Sequence, residues 1–165
     1  MSGRVLLVDD DPAMLRLVAH ELGQEGIETV PASSGAEALR LLEEEAPSAV
    51  VLDLLLPDIP GRVLLPRIEA IRPGTPVVVL TVRSGVEDIV ECMRLGAVDY
   101  VPKPFERTRL VASVRNAAER GALQTRVEAL ARELRRGEGF GALLGRSAAM
   151  AKAVDLLRRA SASEV

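Results

Sequence analysis

Three consecutive carboxylates, Asp9, Asp10 and Asp11, follow directly on the apolar run Val5–Val8. A further carboxylate, Asp53, follows the apolar run Ala49–Leu52, Thr81 follows residues 77–80, and Lys103 comes just after Tyr100 and Val101. Taken singly, each has an ordinary explanation. Asp11 before Pro12 suits a helix N-cap, and a lone Thr or Lys at a strand end is most often structural or solvated. Taken together they are harder to assign to chance. Carboxylates brought close repel one another and call for a cation. Hard oxygen ligands of this kind suit Mg2+, which keeps several waters and accepts a phosphate. A lysine beside them would act as a point charge for a phosphoryl oxygen.

Whether these residues meet depends on the elements that carry them. Residues 5–8, 49–52 and 77–80 are continuous apolar runs, as expected of strands buried on both faces. Residues 28–30 and 100–101 read as two further short strands. Between them lie helical patterns over residues 12–23, residues 34–45 with the capping-box spacing Ser34 to Glu37, residues 61–71, and residues 86–95 closed by Gly96. Pro66 inside the third predicts a kink or a late start. From Arg107 the chain is helical again. Regular βα alternation implies an α/β fold, a doubly wound five-stranded parallel sheet with helices on both faces. Such sheets bind ligands outside the carboxyl ends of their strands. Asp9, Asp10, Asp53, Thr81 and Lys103 all stand at those ends, although Asp9 and Lys103 are far apart in sequence.

Composition narrows the function classes. The 165 residues are 48% hydrophobic and 27% charged, a soluble globular balance with no apolar run long enough to span a bilayer. The amino terminus does not read as a signal peptide. The single Cys92 excludes a disulfide framework and fits a cytoplasmic location, and one Cys with the single His20 argues against zinc. Three aromatic residues, Tyr100, Phe105 and Phe140, offer little base-stacking surface. Residues 1–105 carry 9 Lys and Arg against 17 Asp and Glu, whereas residues 106–138 carry 8 against 5. An acidic front fits metal binding and gives no support for contact with nucleic acid.

The motifs Val5-Leu6-Leu7-Val8-Asp9-Asp10-Asp11-Pro12, Val51-Leu52-Asp53-Leu54-Leu55-Leu56-Pro57-Asp58-Ile59-Pro60-Gly61, Leu80-Thr81 and Lys103-Pro104-Phe105 together resemble the receiver domain of bacterial two-component response regulators, over roughly residues 4–120. The resemblance implies a flavodoxin-like sheet of strand order 2-1-3-4-5. It implies Asp53 as phosphoacceptor for a sensor histidine kinase, and Asp9, Asp10 and Asp53 as Mg2+ ligands together with the backbone carbonyl of Leu55. It further implies Thr81 and Tyr100 as a switch pair, Lys103 as a phosphoryl contact, and a cis peptide between Lys103 and Pro104. The readout would fall on the face of the fourth helix, fifth strand and fifth helix. Val82 departs from the smaller residue such receivers more often carry after the threonine, and is expected to narrow access to Asp53.

Past the receiver, Leu123, Val127, Leu130 and Leu134 repeat at 4-3-4 spacing among Arg and Glu, a short coiled-coil stripe. Residues 121–138 are therefore read as a linker helix and as the seam of a homodimer formed jointly with the receiver. Residues 139–165, with Gly145-Arg146-Ser147 and Met150, resemble the opening of the AAA+ ATPase domain of NtrC-type activators of sigma-54 RNA polymerase, its first helix expected over residues 149–160. No G-x-x-x-x-G-K-[ST] motif occurs in the chain, so no ATP binding is expected of it. The leading expectation is a regulatory module rather than an enzyme, apart from self-catalysed phosphoryl transfer. Two alternatives are an aspartate-nucleophile phosphatase and a purely structural receiver-like dimerisation module. The first lacks a general acid, because Leu55 stands two residues after Asp53. The second has no need of Asp53, Lys103 and the acidic pair.

Overall fold

The computed structural model describes residues 3–137, residue 152 and residues 155–160. Five strands, β1 (Val5–Val8), β2 (Thr29–Ala32), β3 (Ala49–Leu52), β4 (Val77–Thr81) and β5 (Asp99–Pro102), alternate with α1 (Pro12–Gly23), α2 (Gly35–Glu45), α3 (Gly61–Ile71), α4 (Val86–Arg94) and α5 (Arg107–Gly137). The strands form one parallel sheet of order β2-β1-β3-β4-β5, as expected. The chain divides into two compact units, Met1–Ala122 and Leu123–Val165. Most of the region read as the start of an ATPase domain, including much of its expected helix at 149–160, lies outside the described residues; Asp155 to Ala160 are helical.

The three central strands are apolar without alternation because both faces are covered. Val5, Leu7, Val51, Val78, Leu80 and Val101 pack with Val18 and Leu22 of α1 and with Leu110, Val114 and Ala117 of α5. Leu6, Val8, Val50, Leu52, Val77, Val79 and Tyr100 point the other way, into a layer with Leu42 of α2, Leu64 and Ile68 of α3 and Cys92 of α4. The period-two pleat thus sorts neighbouring residues to opposite sides.

Both edge strands extend beyond their expected ends, and the reason is the same for each. Pro31 in β2 pairs with Leu7, and Pro102 in β5 pairs with Thr81. Proline reads as a breaker, yet an edge strand tolerates it because its missing N–H would have faced away from the ladder. α3 begins at Gly61 rather than after Pro66, with Leu64 N–H donating to Pro60 O. Only the bond from residue 66 to the Arg62 carbonyl is forfeited. At α2, Ser34 Oγ accepts from Glu37 N–H as the capping box requires, but Glu37 reaches back to Ser33, accepting from its N–H at 2.9 Å.

Gly121 lies where α5 passes the base of the sheet. A Cβ there would stand 1.7 Å from the carbonyl oxygen of Ser48, so no side chain fits without displacing backbone.

β5 and α5 are joined by Asp99. Arg109 pairs with both its oxygens at 2.8 Å and Ser113 Oγ donates to it at 2.6 Å. The Arg109 guanidinium, against a smaller opposing effect of burial, holds the Asp99 carboxyl down at about 2. A depressed carboxylate stabilises the fold above its ordinary value of 3.8, and that stability is lost as pH falls toward about 2. The side chain is 33% exposed, so screening trims the effect to about 1–2 kcal/mol. Asp99→Asn is therefore expected to lower stability by about that amount at pH 7. In urea unfolding at a series of pH values, the gap to wild type should close as pH falls through that window. A constant gap would show that Asp99 acts by shape alone.

Candidate phosphoryl and metal site

The hydrogen-bond ladder continues one residue past the strands, which fixes the site from the backbone outward. Asp9 N–H donates to Ala32 O, Asp53 N–H to Val8 O and Lys103 N–H to Thr81 O. By the pleat, Asp9, Asp53 and Lys103 continue the side facing α1 and α5, and Thr81 continues the side that holds Tyr100. The separations in sequence vanish at this edge: Lys103 Nζ stands 2.6 Å from Asp9 Oδ2 and 3.0 Å from Asp53 Oδ2.

All three groups are largely withdrawn from water, with the lysine side chain 10% exposed. Burial pulls the ammonium down, but hydrogen bonds and charge from Asp9 and Asp53 more than offset it, so its pKa lies above the ordinary lysine value. The remaining carboxylate oxygens are committed to the backbone. Asp9 Oδ1 accepts from Asp11 N–H at 2.9 Å, and Asp53 Oδ1 accepts from Leu55 N–H at 3.1 Å. Asp11 caps α1, accepting from Ala13 N–H, in line with its ordinary reading. Asp10 stands exposed beside the buried pair, and one oxygen from each of Asp9, Asp10 and Asp53 lies within 4.8 Å of the others. Three hard oxygen donors at that spacing, with an open side toward water, fit a small divalent cation such as Mg2+.

Thr81 is fully buried, and its Oγ1 accepts from Arg83 N–H at 3.4 Å. That bond uses a lone pair and leaves the hydroxyl proton for another acceptor. Tyr100 is 8% exposed and its hydroxyl oxygen is buried with no hydrogen-bond partner. Burial pushes its phenol up, and the nearby acidic groups Cys92, Asp88 and Asp53 push in the same direction. The Lys103–Pro104 peptide is cis. Val82 is 59% exposed, turned largely to solvent. Beyond it, Val86, Val90 and Met93 leave an exposed apolar strip on α4.

Among the features that escaped the sequence reading are two sets of ion pairs. Lys103 binds Asp9 as well as Asp53, a pairing that only the register reveals. Arg62 of α3 pairs with Asp88 and Glu91 of α4, and Arg83 joins Asp88; no spacing in the sequence marks such contacts between elements.

A profile of the response regulator receiver domain matches residues 5–115. The transcriptional regulatory protein GlrR of Escherichia coli is 36% identical over 121 residues, covering 73% of this chain and 27% of that protein. The alginate biosynthesis transcriptional regulatory protein AlgB of Pseudomonas aeruginosa is 36% identical over 163 residues, covering 99% of this chain and 36% of that protein. The crystal structure of NtrX from Brucella abortus superposes with a TM-score of 0.70 at 35% identity, over 79% of this chain and 30% of that one. The chain thus spans only about a quarter to a third of the length of these relatives. Among the described residues no helix is long and apolar enough to cross a membrane.

Proposed function

The chain belongs to the response regulator receiver family, and from that premise we propose that it is a phosphorylation-controlled switch whose phosphoacceptor is Asp53. The observation that carries the reading is Lys103 Nζ held between Asp9 and Asp53 at 2.6 and 3.0 Å, beside the exposed carboxylate of Asp10. The Asp53 carboxylate attacks the phosphorus of a sensor histidine kinase's phosphohistidine. A new P–O bond forms as the P–N bond breaks, and the electron pair leaves with the histidine. Lys103 is placed to follow the transferred group with its positive charge, because both its partners sit at the reacting edge. Asp9, Asp10, Asp53 and the Leu55 carbonyl would hold Mg2+, which when bound neutralises the negative charge of the incoming phosphoryl group.

The acyl phosphate adds negative charge and acceptor oxygens beside Thr81. Thr81 donates its hydroxyl proton to one of them. Tyr100, whose hydroxyl lacks a partner where it stands, shares the pleat side with Thr81 and turns into the space that the threonine leaves. The test is treatment with acetyl phosphate and Mg2+. The expected result is a mass gain of one phosphoryl group that disappears without Mg2+. Labelling independent of Mg2+ would overturn the metal site, and turnover of a phosphate ester would favour the phosphatase alternative.

In the wider protein, the resemblance of residues 139–165 to NtrC-type activators supports control of a sigma-54-dependent ATPase, and the similarity of the whole chain to AlgB along 99% of its length is compatible with it. The homodimer belongs to this reading. Leu123, Val127, Leu130 and Leu134 all lie within α5 and are only half-buried, among exposed Arg126, Glu128 and Arg132. Four apolar positions make about two heptads, marginal alone, so receiver and linker are expected to dimerise together. A two-fold pair would keep the following domains from the head-to-tail contacts a ring needs. Leu130→Asp would bury unpaired charge at the seam. It is expected to move the protein from dimer to monomer in sedimentation at a fixed concentration of roughly tens of micromolar. A monomeric wild type at that concentration, or a variant whose sedimentation is unchanged, would defeat this reading.

A further inference from the structure

We propose that Asp58 is a positioning residue for the metal edge of the site: its carboxylate ties the loop between β3 and α3 to the first turn of α2, and so sets where the Leu55 carbonyl stands. The proposal deepens the reading of Asp53 and Leu55 given above and rests on it. Gly35 N–H donates to Asp58 Oδ1 at 3.0 Å and Ala36 N–H donates to Oδ2 at 2.9 Å. These are the first two residues of α2, and the helix's own cap, Ser34, serves the next free amide, Glu37. Two of the amides that a helix start leaves without partners are thus satisfied by a residue 22 and 23 positions away. The positive end of the helix favours the charge. Hydrogen bonds from Ala36 and Gly35 hold the Asp58 carboxyl below its ordinary value, so the tether stays ionised near neutral pH.

The rest of the loop shows what the tether has to do. At its near end Leu55 N–H is held by Asp53 Oδ1, and Gly61 N–H donates to Leu54 O at 3.1 Å. Gly61 packs so closely that a Cβ would meet Leu54 Cα at 2.6 Å. The tip is different: Leu55, Pro57, Asp58 and Pro60 are exposed, and Leu56 alone among residues 55–60 is buried in the core. There, Asp58 grips α2, and Ile59 lies against Gly35, where a Cβ would meet Ile59 Cβ at 2.9 Å. Leu55 sits between these two anchors, with its N–H used and its carbonyl turned over to the geometry of the loop. Groups one shell out from a metal commonly set ligand orientation in this way.

The test is Mg2+ binding to the whole chain, followed by amide NMR shifts with no phosphodonor present. Asp58→Ala is expected to weaken Mg2+ about tenfold, with the largest shift difference at Leu55. Asp58→Asn retains one acceptor oxygen and should fall between it and wild type; it carries the test should Asp58→Ala fail to fold. Ser34→Ala loosens the same helix end without touching the loop, and should leave Mg2+ affinity within about twofold. Wild-type affinity in both Asp58 variants, or equal weakening by Ser34→Ala, would overturn the proposal while leaving the site intact. A wild-type protein whose Asp9, Asp10 and Asp53 signals ignore Mg2+ would overturn the reading of the site itself, and this proposal with it.

Discussion

Lys103→Met is expected to destabilise the protein by about 3 kcal/mol in the absence of divalent metal, and to slow phosphorylation by acetyl phosphate about a hundredfold or more. The first effect follows from burial. The ammonium sits between Asp9 and Asp53, whose side chains are 8% and 9% exposed, at 2.6 and 3.0 Å. Removing one partner of a buried ion pair leaves charge with neither water nor counter-charge, which costs more than the pair contributed. Methionine keeps the apolar stem, so lost packing accounts for little of the change. Mg2+ should restore much of the lost stability, because a cation on the same oxygens takes over the lysine's role as counter-charge. Urea unfolding with and without Mg2+ measures this directly. The second effect follows from position, since Lys103, the buried cation held at this edge between Asp9 and Asp53, would no longer meet the incoming phosphoryl group. Unchanged stability and unchanged labelling would show that Lys103 is a bystander.

Asp53→Asn is expected to abolish phosphorylation completely. The amide keeps the shape of the carboxylate, and its oxygen can still accept from Leu55 N–H, but it lacks a nucleophilic oxygen anion. The fold should persist, since the substitution removes one negative charge from a crowded edge and leaves Asp9 to pair with Lys103. Intact-mass measurement after acetyl phosphate and Mg2+ should show unmodified protein where wild type gains a phosphoryl group. A mass gain retained in this variant would move the acceptor to another residue and remove the basis of the proposed switch.

The strands and the site residues at their ends were legible because a doubly covered parallel sheet demands continuous apolar runs, and the first polar residue after each run stands out. Asp9, Asp53, Thr81 and Lys103 were found in this way. Which of them touch was not legible, because contact depends on register, and a run of valines and leucines is compatible with several registers. The edge strands were cut short because Pro31 and Pro102 carry the same signal in a turn and at a sheet edge. Asp58 stood within the receiver-like motif but received no role of its own. Its partners are backbone amides, Gly35 and Ala36, and amides leave no mark in a sequence. Asp99 was passed over for a related reason: its Arg109 and Ser113 lie one helix later, at a spacing meaningful only once α5 is laid against β5.

The pleat that sorts the two apolar layers also divides labour between them. Asp9, Asp53 and Lys103 belong to the side shared with α1 and α5, and Thr81 and Tyr100 to the side shared with α3 and α4. On the proposed reading, whatever passes from the charged edge to the responding pair crosses only the thickness of a single strand. Long-range relays through helices are then unnecessary, and the two layers become separately adjustable. Substitutions among the α1-side residues would retime the chemistry without redrawing the surface on α4 around Val86, Val90 and Met93. Substitutions on α4 would choose a new listener without retiming the chemistry. A fold one strand thick at its working edge can therefore be handed from one signalling circuit to another by altering one face at a time.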